Sequence, residues 1–243
     1  MRIRIKIKLN RNRFPADYRR AMLHLLKKAL SAYQNGAHFQ EFFPEGKPQR
    51  KEYAFAVGLP RGSVCRGDSY DLGSNKITLL FTTGNMRYFT ALHNSFKRLK
   101  GCEQLFTENV SGQITALEPI MQEPVQRDKI FIRFQSPLCV REHIAPKDRY
   151  YSIGEPEFCD QLRRVVSYQL ADRTWATDSV LQRFRLYPLQ MKKTVVRFYG
   201  QQIPCTLGTA VLFGEPQLLT ELYYNGIGSR CSSGFGVFDL IET

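Results

Sequence analysis

Carboxylates are missing from two long stretches of this chain. None lies between Glu221 and Asp239, and none from Ser179 to Gly214, although acids make up 22 of the 243 residues. The second gap holds Arg183, Arg185, Lys192, Lys193 and Arg197. A basic hairpin without acids reads as a track along a nucleic-acid backbone in preference to a solvated face. Long apolar runs are missing too. The opening MRIRIKIKL alternates charge with apolar residues, so it is neither a secretory leader nor a spanning helix, and a cytoplasmic protein with no membrane partner is expected. No C-x-x-C pair joins any of the six cysteines (65, 102, 139, 159, 205 and 231). That argues against a zinc site and a disulfide framework and for reduced, mostly packed thiols. Asp68 and Asp71 stand among Gly67, Ser69, Gly73 and Ser74, the composition of a flexible loop and not of a magnesium site. Neither a metal nor another cofactor is expected.

Two familiar glycine motifs are also missing. From Leu222 to Ile241 the chain reads LYYNGIGSRCSSGFGVFDLI. A dinucleotide fingerprint needs glycine where Cys231 stands and an acid about 20 residues further on, past the end of the chain. No Gly-Lys-Ser/Thr is present for a Walker loop. Gly234 to Phe238 echoes the RNA-recognition-motif signature, but Ser233 occupies its basic position. What remains is a loop in which Gly226, Gly228, Gly234 and Gly236 bracket Ser229, Arg230, Ser232 and Ser233. Glycine admits positive φ and close backbone approach, so such a loop can turn several N–H groups toward an anion, with phosphate the natural guest. An ordinary glycine-rich reverse turn before a terminal strand is the competing reading. Because the loop follows a helix C-terminus, anion binding falls to its amides and Arg230 and not to a helix start.

Lys and Arg outnumber Asp and Glu by 35 to 22, a net charge of +13. That favours a polyanionic partner, with nucleic acid first and an anionic membrane surface second. Arg2 to Leu9 alternates strictly, which predicts a strand with Ile3, Ile5, Ile7 and Leu9 on the core and four cations outward. Phe14-Pro15 opens a helix whose apolar stripe runs through Met22, Leu25, Leu26, Ala29, Leu30 and Tyr33. Strands near 52–59 and 76–83 flank a loop over 60–75, a helix covers 87–99, and a last strand falls between Glu103 and Met121. The polar, proline-bearing segment Met121 to Asp128 reads as a linker. Beyond it come a strand at 129–134, a helix from Pro156, strands at 181–187 and 194–199, an extended stretch at 207–213, a helix at 216–225 and a terminal strand. The order β-α-β-β-α-β appears twice. The expectation is an α+β protein of two tandem ferredoxin-like, RRM-like domains, residues 1–122 and 123–243.

The short helix from Pro216, the paired G-x-G elements and the closing strand resemble the C-terminal glycine-rich loop of the Cas6 family, within the RAMP superfamily. With the tandem halves and the basic hairpin, the resemblance spans essentially the whole length. It implies a CRISPR-associated endoribonuclease that binds repeat RNA and cuts pre-crRNA without a metal, through attack of a ribose 2′-hydroxyl. The products would carry 2′,3′-cyclic phosphate and 5′-hydroxyl ends. The reaction needs a base, an acid and a cation beside the phosphorane. By family position His38, alone of the histidines between the first helix and second strand, is the expected catalytic residue. Histidine is the side chain ordinarily suited to proton transfer near neutral pH. Lys47 and Lys51 are candidate charge stabilisers. Tyr33 falls on the apolar stripe, which favours core packing, and His143 is a lesser candidate. RNA binding is assigned to the eight loop residues above and to the five cations of the hairpin. Candidate partners beside the repeat RNA are a second copy of the chain, as a homodimer, and the subunits of an effector complex. The alternative functions are a catalytically silent repeat-binding subunit of such a complex and a general RNA-binding or membrane-surface protein.

Overall fold

A computed structural model describes residues 1–46, 50–144 and 146–241. The first half contributes β1 (Arg2–Leu9), β2 (Arg13–Pro15), α1 (Tyr18–Ala32), α2 (Phe39–Phe42), β3 (Ala54–Gly58), β4 (Val64–Arg66), β5 (Ser69–Asp71), β6 (Lys76–Thr82), α3 (Met86–Arg98), β7 (Glu103–Thr107) and β8 (Val110–Ile120). The second contributes β9 (Lys129–Phe134), β10 (Val140–Ile144), β11 (Lys147–Tyr151), α4 (Phe158–Gln169), α5 (Asp178–Arg183), β12 (Arg185–Phe198), β13 (Gln201–Phe213), α6 (Pro216–Asn225) and β14 (Phe238–Leu240). Among the described residues no helix is long and apolar enough to cross a membrane.

Two antiparallel sheets carry the fold. One runs β3-β6-β1-β8-β7, the other β12-β13-β9-β14. Setting aside the extra edge strand β7, both have the order of a β-α-β-β-α-β unit, with its first and third strands central, so the architecture is tandem ferredoxin-like. The apolar stripe of α1 (Met22, Leu25, Leu26, Ala29 and Leu30) packs with Leu92 and Phe96 of α3 on Ile3, Ile5, Ile7 and Leu9 of β1. In the second half Leu162, Val165 and Val166 of α4 and Leu218, Leu219 and Leu222 of α6 cover Ile130 and Ile132 of β9. Each face is apolar because strand residues alternate across the sheet while helix residues recur every third or fourth position.

The halves meet across part of the other face of the first sheet, and there, at Arg2, the expectation for β1 fails. Its outward cations do not form a free basic row. Arg2 is buried and pairs with Asp239 and the Phe238 carbonyl, while Arg4 and Lys6 both reach Glu118. A strand read alone cannot reveal that the second half covers Arg2 while Arg4, Lys6 and Lys8 stay exposed. Further polar links cross the junction: Arg50 to Glu221 at 2.6 Å, Thr82 Oγ1 to Tyr224 O at 2.8 Å, and Gly84 N to Asn225 Oδ1 at 2.9 Å.

Other local expectations shift. Pro15 ends β2, which pairs with β5, and α1 starts only at Tyr18. The 60–75 loop therefore contains β4 and β5 of a small three-stranded sheet. A hairpin, β7 and β8, replaces a single last strand. The segment at 181–187 divides between α5 and β12, and β12 and β13 form one long ribbon paired from Arg185↔Phe213 to Phe198↔Gln201. Its turn puts Tyr199 at φ 49° and Gly200 at φ 76°, the two positive values that a tight hairpin requires.

Candidate active site

His38 sits just before α2, in the connection between α1 and β3, with its side chain 23% exposed. The helix ends one residue short of Tyr33, whose backbone is extended (φ −93°, ψ 124°). Tyr33 therefore leaves the helical phase that would have taken it into the core. Its ring stacks on the His38 imidazole at 6.0 Å and 13° instead, and its hydroxyl accepts from Asn94 at 3.2 Å. On the other side His38 Nδ1 meets Glu41 Oε1 at 3.0 Å. Burial pushes the Glu41 carboxyl up, but hydrogen bonds from Arg87 (2.6 Å) and His38 outweigh it and hold the group below its usual value. A carboxylate can only accept, so Nδ1 carries the proton and Nε2 is the free nitrogen.

Lys51 stands before β3 with its ammonium 4.5 Å from the centre of the Phe43 ring. Phe43 closes α2, the turn that His38 opens. Burial first, and then the charge of Lys27, lower the Lys51 pKa from the ordinary lysine value. Lys47 lies outside the described residues. A short helix thus has His38 at its start and the aromatic support of Lys51 at its end, a link that only the fold of this irregular segment creates.

The glycine loop closes onto both halves. Gly226, Gly228, Gly234 and Gly236 are all buried. A Cβ at Gly228 would meet the Cys139 carbonyl and Leu138, and one at Gly234 the Phe55 ring. Several amides expected to face an anion are spent internally: Gly228 N donates to Gln169 Oε1 (2.9 Å), Ser229 N to Cys139 O (2.7 Å) and Gly236 N to Pro137 O (3.0 Å). Arg230, Cys231 and Ser232 open a single 3-10 turn over Cys231–Ser233, and a helical turn leaves its first N–H groups without an internal partner. Ser229, Arg230, Ser232 and Ser233 keep partial exposure and form the crown of the loop. Arg19, buried at the start of α1, donates to Gly234 O at 3.0 Å and anchors the loop to the first half.

Arg230 does not stand free. Its guanidinium reaches Tyr150 Oη at 2.8 Å and Asp148 at 3.3 Å on the β10–β11 hairpin. Asp148 also accepts from His143 Nδ1 (2.7 Å) and Arg141 (2.8 Å). The His143 bond, aided by Arg141 and Arg230 against desolvation, lowers its pKa to about 2. Arg141 N in turn donates to Ser229 Oγ at 3.2 Å. His143 is thus held by Asp148 beside the crown, with most of its ring exposed.

On the ribbon, Lys192 and Lys193 are exposed, and neither forms an ion pair among the described residues. Arg197 pairs with Asp68, Arg183 with Glu215 at 2.6 Å, and Arg185 with the Gln182 and Phe184 carbonyls. Between ribbon, small sheet and α1 runs a groove of about 680 Å³ lined by Tyr18, Arg19, Tyr70, Gln135, Thr194 and Arg197 among others. Glu41, Phe43, Arg141 and Asp148 carried no sequence signal of their own. Glu41 was detectable only as the acid three residues after His38, the reach of one helical turn.

The C-terminal half decides the family. Residues 121–240 match the model described as CRISPR associated protein Cas6, C-terminal. The chain belongs to the Cas6 family. No curated protein matches it. Its fold is similar to that of a Cas6-related protein from Pyrococcus furiosus (TM-score 0.84, 17% identity, covering 100% of this chain and 98% of that one). It is similar also to a RAMP protein described as binding different RNA substrates (TM-score 0.81, 18% identity, 100% of both chains). A third is a Cas6 product complex (TM-score 0.72, 13% identity, 99% of this chain and 100% of that one). In this member of the family the glycine loop of the matched half and the His38 loop of the other half sit on the same helix, α1, at opposite ends.

Proposed function

We propose that the chain is an endoribonuclease that binds CRISPR repeat RNA and cleaves pre-crRNA without a metal. Residues 1–122 form a catalytic domain, and residues 123–243 form an RNA-holding domain that contributes the crown of the glycine loop and the basic ribbon. In the reaction the ribose 2′-oxygen attacks the adjacent phosphorus, an O2′–P bond forms, and the P–O5′ bond breaks. His38 Nε2 takes the 2′-hydroxyl proton. The ammonium of Lys51 faces the negative charge that builds on the phosphorane and on the leaving O5′, which takes a proton from solvent water as it departs. The ends left behind are a 2′,3′-cyclic phosphate and a 5′-hydroxyl.

The contact between His38 Nδ1 and Glu41 carries this reading, because it fixes the tautomer and leaves Nε2 free. Such a contact is what a base requires: an oriented imidazole, partly exposed. The exposed Lys192 and Lys193 and the partly exposed Ser229, Ser232 and Ser233 are the groups with capacity left for a sugar-phosphate backbone. The relatives' RNA and product complexes give the same direction.

The test is a single-turnover cleavage assay on the host's repeat transcript. His38→Ala lowers the rate by about 100-fold or more, the order expected for a lost acid or base, with binding retained. Activity persists in a chelator. A strict requirement for magnesium contradicts the mechanism, and a wild-type protein that binds the repeat but leaves it whole is a silent effector subunit instead.

A further inference from the structure

No carboxylate occurs from Tyr18 to Gln40, a stretch that holds Arg19, Arg20, His24, Lys27, Lys28 and His38. Arg19 turns inward to the glycine loop, whereas Arg20, His24, Lys27 and Lys28 are exposed on α1. Arg20, His24 and Lys27 follow one another at four- and three-residue steps, a single line along the helix. Solvated helix faces ordinarily mix signs, because cations with no acids among them repel. The outer face of this helix has one sign only.

At its middle the charges converge further. Lys27 Nζ lies 5.0 Å from the centre of the Phe43 ring and Lys51 Nζ 4.5 Å from the same centre. Two ammoniums from different elements therefore share one phenyl group. The acids that could neutralise them are engaged elsewhere: Glu41 with His38 and Arg87, Glu52 with Arg173 and Asn85, and Glu45 with Gln40. Among the described residues neither lysine pairs with a carboxylate. An aromatic face attracts each cation and holds the stems in place, but it cannot cancel the charge. An anion between the ammoniums would relieve the repulsion.

The helix also acts as a ruler. Arg19 fixes Gly234 at the first turn. At a rise of 1.5 Å per residue Lys27 lies about 12 Å further along, and Ala32, next to the His38 loop, about 8 Å beyond that. A strand that met both the crown and His38 would run along this face of the helix and pass Lys27 before it reached the phosphate to be cleaved.

We propose that Lys27 and Lys51, gathered over Phe43, seat one backbone phosphate of the RNA, and that the acid-free face of α1 carries the strand from the glycine loop to His38. The assignment of Lys27 rests on the nuclease reading for the identity of the polymer. The seat itself rests on the shared ring and the missing counter-charge.

Binding is measured in the His38→Ala protein, so that the host's repeat transcript stays whole, as a function of salt. Added to that parent, Lys27→Met and Lys51→Met each flatten the slope of log affinity against log salt by roughly one contact, about 0.7 to 0.9. Lys97→Met, on the exposed side of α3, leaves it unchanged. Met keeps the apolar stem over Phe43, and an unchanged melting curve verifies folding. With His38 present, Lys27→Met slows cleavage about 10-fold or more and Lys27→Arg restores most of it. If Lys27→Met leaves both slope and cleavage at parental values while His38→Ala is dead, the seat is overturned and the nuclease stands. A slope loss in a protein that never cleaves keeps the seat and removes the nuclease. A protein that does not bind the transcript at all overturns both.

Discussion

His38 and Glu41 meet through Nδ1 and Oε1 at 3.0 Å, and that contact settles which face of the imidazole is available to an RNA. The partner is itself fixed, because Arg87 holds the same carboxylate oxygen at 2.6 Å and the Tyr88 hydroxyl donates to the Glu41 carbonyl at 2.9 Å. The proposed base, on a loop, is thereby tied to α3.

Glu41→Ala frees the ring and slows single-turnover cleavage by on the order of 10-fold without weakening binding, and Glu41→Gln, whose amide oxygen can still accept, falls between. The pH dependence has a definite sign. A carboxyl held below its unfolded value of about 4.3 stabilises the fold fully above that value and loses the contribution as pH falls through the lower folded value. At neutral pH the contact is intact, and Glu41→Ala should flatten acid unfolding below about pH 4. Wild-type cleavage and acid stability in Glu41→Ala count against the contact.

Gly236 lies at φ 69°, and a Cβ there would be driven onto the Ile227 carbonyl that the loop folds around. Gly236→Ala is expected to lower stability by about 2 kcal/mol or more, measured by denaturant unfolding. Gly200 has a similar φ of 76° but nothing near its missing side chain. Gly200→Asn should stay within about 0.5 kcal/mol, since asparagine tolerates the left-handed region. Equal effects at the two positions would show that conformation alone, and not close approach, demands glycine in the loop.

Asp148 ties the β10–β11 hairpin to the glycine loop through Arg141, His143 and Arg230. With its pKa lowered to about 2, its contribution to stability is complete above the ordinary carboxylate range and fades as pH drops toward 2. Asp148→Asn weakens all three of these contacts at once. The expected outcome is faster amide exchange from Ser229 to Ser233 together with lower repeat affinity. Unchanged exchange would mean that the loop is held by its own glycines alone.

Arg2 and Asp239 bridge the two sheets, with the arginine side chain 7% exposed and the acid 41% exposed. Asp239→Ala leaves a buried guanidinium on the Phe238 carbonyl and the Tyr223 ring and should cost about 2 kcal/mol, below the full penalty of a buried pair because the acid is half exposed. Replacing Arg2 by Met together with Asp239 by Leu should recover most of that loss. Non-additive unfolding energies in this double-mutant cycle are the measurement that decides it.

The order of elements was legible because local periodicity records it. The stripes of α1, α3, α4 and α6 and the alternation of β1 each bury one face, and burial leaves its mark at fixed spacing. The length of the ribbon was not legible. β12 and β13 pair through their backbones across Pro188 and the Lys192-Lys193 break, where side-chain alternation stops but backbone pairing continues. Tyr33 was misassigned by one residue of helix, enough to turn it from the core onto His38.

Composition and pattern by themselves determined that this is a basic, two-layered α+β chain with a glycine-rich tail and a histidine in the first crossover. Tertiary structure alone decided which charges are free. Arg2, Arg197 and Arg230 find acids 237, 129 and 82 residues away, while Lys27 and Lys51 are brought over one ring with no acid paired to them among the described residues. Pairing depends on distances in space, and a one-dimensional pattern does not contain the partner that a folded chain delivers from its other end.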